Sequence, residues 1–161
     1  MEAMRTDRRT ASGFSIVEAL VALVVLSVGM LGIAALYVES LRAGRSAIYR
    51  TQAVNLAADM ADRIRSNREQ PTAWELTATA SPATQGCVAG TVNCDPAELA
   101  QDDQARWRAA IQNQLPGDGA DTPNGIIEVD DAIVPNQYTI TVTWSEPGAD
   151  AALTYVLTMQ I

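Results

Sequence analysis

The side chains able to do chemistry are few, and their spacing excludes most of it. All eleven basic residues are arginine, and the 161-residue chain has neither lysine nor histidine. Ser-His-Asp and Cys-His catalysis, histidine metal sites and lysine Schiff bases are therefore out. What remains is carboxylate chemistry, in which two acids share a proton or hold a cation and must converge on one point. Asp102-Asp103 and Asp130-Asp131 are adjacent in sequence, so each pair diverges on a helix or a strand. Both pairs are expected to be solvated surface, the usual place for aspartate. Cys87 and Cys94 enclose six residues, the wrong spacing for CxxC redox or zinc chemistry. In an oxidising compartment they would form a small-loop disulfide; elsewhere they would be two unpaired thiols. No catalytic residue, metal site or cofactor is expected.

Glu18 stands apart from these acids. In SGFSIVEALVALVVLSVGMLG, residues 12–32, it is the lone charged side chain, and residues 19–38 are twenty positions without another. At about 1.5 Å per residue, twenty helical residues span roughly 30 Å, the thickness of a bilayer core. Leucine, valine, alanine and isoleucine run all round the cylinder, whereas a helix in a soluble core keeps a polar face. The segment reads as a membrane helix. A charge at mid-bilayer costs about 2.5–3.5 kcal/mol even on the milder insertion scales, so a counter-charge is an incentive for Glu18 to associate.

The rest of the chain must position this segment. Its length suits one domain plus an anchor. Nineteen acids against eleven arginines, net −8, leave no basic footprint for nucleic acid. Arg5, Arg8 and Arg9 precede the apolar run, as in a cleavable secretory signal. The run, however, exceeds the roughly 7–15 residues of such a signal's core, and AALYVESLRAG continues in helix formers without a small-x-small cleavage site. Arg42, Arg45 and Arg50 balance the three arginines across the segment, so the positive-inside rule does not orient it. A bridged cysteine pair would, by putting the C-terminal part on the oxidising side and the short tail in the cytoplasm.

Beyond the apolar run the helix continues. Residues 39–67 lack proline, and Tyr49, Ala53, Leu56, Met60 and Ile64 fall on one helical stripe, with Arg45, Arg50, Asp59, Asp62, Arg63 and Arg65 mostly off it. SNREQP stops the helix, because the residue before Pro71 is pushed out of the helical region. Residues 72–93 are small, polar and turn-rich, a loop with room for one short strand. Asp95, Pro96 and Glu98 then form a helix start, with Leu99, Trp107, Ile111 and Leu115 as its apolar face and Pro116-Gly117 as its end. GIIEV is a short strand. QYTITVTWSE alternates, with Tyr138, Ile140, Val142 and Trp144 on one face, and LTYVLTMQI returns as its antiparallel partner. The expected fold is α+β, a long helix packed on a small antiparallel sheet with one additional short helix.

A short basic leader, Gly13 followed by FSIVE, an uncharged run, a continuing helix and a small sheet domain together resemble a type IV pilin precursor. Further along, AVNLAADMADRIRSNR, CDPAELAQDDQARWR and YTITVTW are similar to the type IV pilus modification proteins, the PilV-type minor pilins. The resemblance implies that a membrane-embedded prepilin peptidase cuts after Gly13 and methylates the new amine of Phe14, and that Glu18 pairs with the Phe14 ammonium of a neighbouring subunit. Residues 1–13 would be the leader, 14–38 the transmembrane and assembly half of the helix, 39–69 its amphipathic half, and 70–161 a periplasmic head. The partners implied are the other minor pilins and the major pilin in a hetero-oligomer, the prepilin peptidase and the inner-membrane assembly platform. The implied role is that of a non-enzymatic subunit of a pilus initiation or tip complex, anchored in the inner membrane with its N-terminus cytoplasmic, and so serving pilus biogenesis, adhesion and twitching motility. Two departures from many major pilins point to a minor one: no proline interrupts the apolar helix, leaving Gly29, Gly32 and Ser27 to loosen it, and the cysteines lie mid-chain. A pseudopilin of a type II secretion system shares the same leader, and a single-pass periplasmic protein with a coincidental GFSIVE is the reading from another class.

Overall fold

The structure, a computed structural model, describes residues 13–89, 92–119 and 122–161. The expected leader, with Arg5, Arg8 and Arg9, lies outside the described residues apart from Gly13. The elements run α1 (Ile16–Ser66), 3-10 turns at Pro71–Trp74 and Cys87–Ala89, α2 (Pro96–Gln114), β1 (Asn124–Asp130), β2 (Gln137–Trp144) and β3 (Leu153–Gln160). This is the α+β architecture expected from the sequence. The chain groups into two compact units, the first ending at Ala43 and the second running Gly44–Ile161.

In the first unit, α1 is apolar all round and every described residue from 13 to 43 is exposed. Its length and composition allow it to cross a membrane. The one hydroxyl in its middle is locally satisfied, since Ser27 Oγ donates to the Val24 carbonyl at 2.8 Å. Gly29 and Gly32 lie within unbroken helix.

The second unit has its own core. From α1 it takes Ala53, Leu56, Ala57, Met60, Ala61 and Ile64, all buried, with Tyr49 packed at the margin. Alanine at every fourth position lets neighbouring elements approach that helix face, while Leu56, Met60 and Ile64 supply volume. The facing layer is a three-stranded antiparallel sheet in the order β1-β2-β3. Central β2 alternates as predicted, with Tyr138, Ile140, Val142 and Trp144 buried.

α2 begins on a capping box: Asp95 Oδ1 accepts from the Ala97 and Glu98 amides at 2.9 and 2.8 Å, and Glu98 Oε2 accepts from the Asp95 amide at 3.0 Å. Trp107, Ile111 and Leu115 are buried, whereas Leu99 is only half-buried and Ala100 is fully enclosed. The end of α1 is tied to its neighbours. Asn67 O accepts from Trp74 Nε1 at 2.8 Å, and Asn67 Nδ2 donates to Pro96 O at 2.8 Å, so a terminal carbonyl that lacks a helical partner is satisfied.

The segment expected to be a loop with one strand instead carries two 3-10 turns and a single bridge, Leu76 to Ile127. It also supplies two fully buried core residues, Trp74 and Leu76. The expectation that Asp102-Asp103 is solvated is overturned, since both side chains are buried. α2 has neighbours on more than one side, and each aspartate meets a donor there: Asp102 faces the backbone of Gln85 and Gly86, and Asp103 faces Arg63 on α1. Asp130 and Asp131 are exposed, as expected.

Candidate functional site

The residues singled out for chemistry fall in two places, and each is set by local structure. At the start of α1, residues 13–15 are outside the helix and its first turn closes on Ser15, whose carbonyl accepts from the Ala19 amide at 3.1 Å. Gly13 is exposed, and a Cβ built on it would meet nothing within 4 Å. Phe14 is 77% exposed. Glu18 lies in the first turn of α1, where the positive end of the helix dipole favours a carboxylate by about 0.3–1 kcal/mol. Among the described residues no basic group pairs with it. Gly13, Phe14 and Glu18 thus sit together at one helix end: an exposed glycine, then an aromatic side chain, then an acid at the foot of an apolar helix.

The second place is the segment that precedes α2. Cys87 and Cys94 are joined, with an S–S distance of 2.12 Å and Cα atoms 5.7 Å apart. Cys94 immediately precedes the Asp95 cap, so the bridge ties this loop to the start of α2. About two turns further along α2, Asp102 holds the other end of the loop. Its Oδ1 accepts from the Gln85 and Gly86 amides at 2.6 and 3.0 Å, and its Oδ2 accepts from Arg106 Nε at 2.7 Å. Gly86 has φ +78°, a conformation side-chain-bearing residues rarely adopt, which is what aims its amide at the carboxylate. Burial alone would raise the Asp102 pKa, but the hydrogen bonds from Arg106, Gly86 and Gln85 and the Arg106 charge outweigh it and hold the carboxyl below its ordinary range.

Two arginines complete the polar contacts of the second unit, Gly44–Ile161, which forms the head of the protein. Arg63 of α1 bridges Asp59 at 2.9 Å and Asp103 of α2 at 2.6 Å. Arg108 is buried and donates to the carbonyls of Thr77 at 2.8 Å, Gly125 at 2.7 Å and Ala80. Burial pushes its pKa below the usual guanidinium value. The sequence pattern places Asp102 on the surface and Arg63 off the apolar stripe, and gives Arg108 no role. Asp102 and Arg106 stand four apart on a helix, and Arg108 is three positions before Ile111, on the edge of the apolar stripe; both signals were available. Among the described residues no group of three or more Asp, Glu or Cys side chains gathers as a metal site would. Asp102, Asp103, Arg63 and Arg108 thus tie the elements of the second unit together.

Comparison with protein families divides the chain at nearly the same place as its chemistry. A family model described as the prokaryotic N-terminal methylation motif matches residues 8–34, and one described as type IV pilin Tt1218 matches residues 35–105. Neither a curated protein nor a solved structure matches the chain. With a methylation motif running directly into a pilin domain, on an α+β fold with a long N-terminal helix, the chain belongs to the type IV pilins and is a type IV pilin precursor.

Proposed function

We propose that the chain is a minor pilin of the PilV type, a structural subunit taking part in a pilus initiation or tip complex. The observation that carries this reading is the conjunction of accessible Gly13 and Phe14, first-turn Glu18 and a stretch of α1, up to residue 43, whose apolar residues are all exposed. A prepilin peptidase cuts after Gly13 and methylates Phe14, where the glycine leaves the cleft unobstructed. The apolar half of α1 anchors the subunit in the inner membrane, with the N-terminus cytoplasmic and the disulfide-bearing head in the periplasm. During assembly that helix exchanges lipid contacts for contacts with equivalent helices, among which small residues such as Gly29 and Gly32 favour close approach. Glu18 then meets the Phe14 ammonium of a neighbour, an amine that exists only after the leader is removed. The subunit thereby joins a hetero-oligomer of minor and major pilins on the assembly platform, and through it serves adhesion and twitching motility.

Glu18→Ala separates processing from assembly. Mass spectrometry of the mature chain is expected to show an N-methylated Phe14 in wild type and variant alike. Pilus number, and recovery of other pilins with the tagged variant, are expected to fall severalfold. Normal piliation and normal pilin recovery by a correctly processed Glu18→Ala chain would remove the pairing from the mechanism. A mature N-terminus anywhere other than Phe14 would remove the processing step.

A further inference from the structure

The two edges of the head sheet are treated differently. The parity of the hydrogen bonds follows from one contact beyond β3. Ile161 N donates to Asn136 O at 3.0 Å, so Ile161 points its backbone at the β2 side. In an antiparallel ladder such pairs alternate, so Leu153, Tyr155, Leu157 and Met159 bond to β2, and Thr154, Val156, Thr158 and Gln160 turn their N–H and C=O groups outward. The same alternation on β1 turns Gly125 and Ile127 outward, and there the groups are used. Ile127 exchanges both backbone bonds with Leu76, at 2.9 and 3.0 Å, and Gly125 O accepts from buried Arg108 at 2.7 Å. The β1 edge is closed at Gly125 and Ile127, and among the described residues only the outward groups of Val129, near its end, have no partner.

The β3 edge is open. Among the described residues, none of the outward backbone groups of Thr154, Val156, Thr158 and Gln160 has a partner. Those four side chains are exposed. The register is continuous from Gln137↔Gln160 to Trp144↔Leu153, without a bulge, and β3 has no charged residue and no proline. These are the devices that natural proteins use to keep an edge from pairing, and all are missing here. On the core side, Leu153, Tyr155 and Leu157 are only half-buried, so the apolar layer stops short at this edge.

We propose that β3 is the docking edge for an extended segment of a different protein, which adds as a fourth strand. The segment's alternate residues are apolar, covering Leu153, Tyr155 and Leu157, and its flanks are basic. Charge decides between a foreign strand and a second copy. The connection leading into β3 carries Glu146 and Asp150, and the chain bears −8 overall. Edge-to-edge pairing of two copies would bring like charges together, whereas a basic-flanked strand meets complementary ones. Main-chain bonds supply the affinity and the alternate apolar side chains the register. This surface is independent of the Phe14 and Glu18 contact, and the reading stands or falls separately from it.

The test uses the full-length protein in detergent micelles and a synthetic peptide, Lys-Thr-Val-Thr-Val-Thr-Val-Lys, as probe. Residue-resolved amide exchange is expected to slow at least tenfold at Thr154, Val156, Thr158 and Gln160 on peptide addition, with no change at Ile127. Val156→Pro removes an outward amide and places the ring where the added strand would lie, a substitution that an edge strand tolerates. It is expected to abolish the slowing while the tryptophan fluorescence of the head is retained; Thr158→Pro serves if that variant does not fold. No slowing at the four amides with millimolar peptide overturns the proposal. So does equal slowing in the proline variant, or protection already present without peptide in a dimer of this chain.

Discussion

At the scale of single residues, the head is sensitive where atoms approach closely. Gly125 is the sharpest case: a Cβ there would lie 2.3 and 2.5 Å from the Trp107 ring and 2.7 Å from Ile111. Gly125→Ala must displace a buried indole or a strand, and is expected to destabilise the head by about 1–3 kcal/mol in urea unfolding followed by tryptophan fluorescence. Unchanged stability would mean that β1 does not approach α2 as described. Asp102 makes the head pH-sensitive in one direction. Its folded pKa is depressed, so its contribution to stability is present above the unfolded carboxylate pKa of about 4 and is lost as pH falls through the folded value. Wild type is therefore expected to lose stability progressively as the pH falls below about 4. Asp102→Asn, about 1.5–3 kcal/mol less stable at pH 7, is expected to show a flatter acid dependence. Parallel acid slopes in the two proteins would take the carboxylate out of that account.

At the scale of elements, α2 is the hub. Its Trp107 donates to the Leu56 carbonyl of α1 at 2.8 Å, Asp103 holds Arg63, Gln104 donates to Ala73 O at 3.0 Å, and Arg108 gathers three carbonyls from the 77–80 segment and β1. These contacts cross from helix to helix, loop and sheet. Arg108→Met keeps an unbranched apolar stem, somewhat shorter, and removes every donor. It leaves the carbonyls of Thr77, Ala80 and Gly125 to find partners in a restricted space, and is expected to cost about 2–3 kcal/mol. Chemical unfolding measures the loss, and exchange at the Leu76 and Ile127 amides is expected to accelerate with it. A variant as stable as wild type would show that the guanidinium is dispensable to the closed sheet edge.

At the scale of the whole molecule, the chain combines an apolar helix with no core of its own and a head that has one. The first unit exposes an apolar surface far beyond what a water-soluble monomer presents, which is the physical content of its reading as an anchor. Val28→Arg places a charge near the middle of that surface, at about 2.5–3.5 kcal/mol against insertion. It is expected to increase the fraction released from membranes by alkaline carbonate extraction; full retention would argue against a spanning helix. Much of this plan was legible in the sequence. The apolar run, the stripe from Tyr49 to Ile64, the capping box at Asp95 and the alternation of β2 are patterns carried by residues within a turn or a few strand positions of one another. Local backbone geometry converts those patterns into elements, so the sequence by itself determined the two long helices and the strands. Tertiary structure alone decided that Asp102, Asp103 and Arg108 are interior, that Trp74 and Leu76 join the core, that Gly125 has no room for a side chain, and that one sheet edge is closed and the other open. Each depends on groups distant in the chain, such as Arg63 with Asp103 across 40 positions and Trp107 with Leu56 across 51. Burial is set by what packs around a residue, and the short-range pattern at Asp102 or Arg108 does not contain that neighbour.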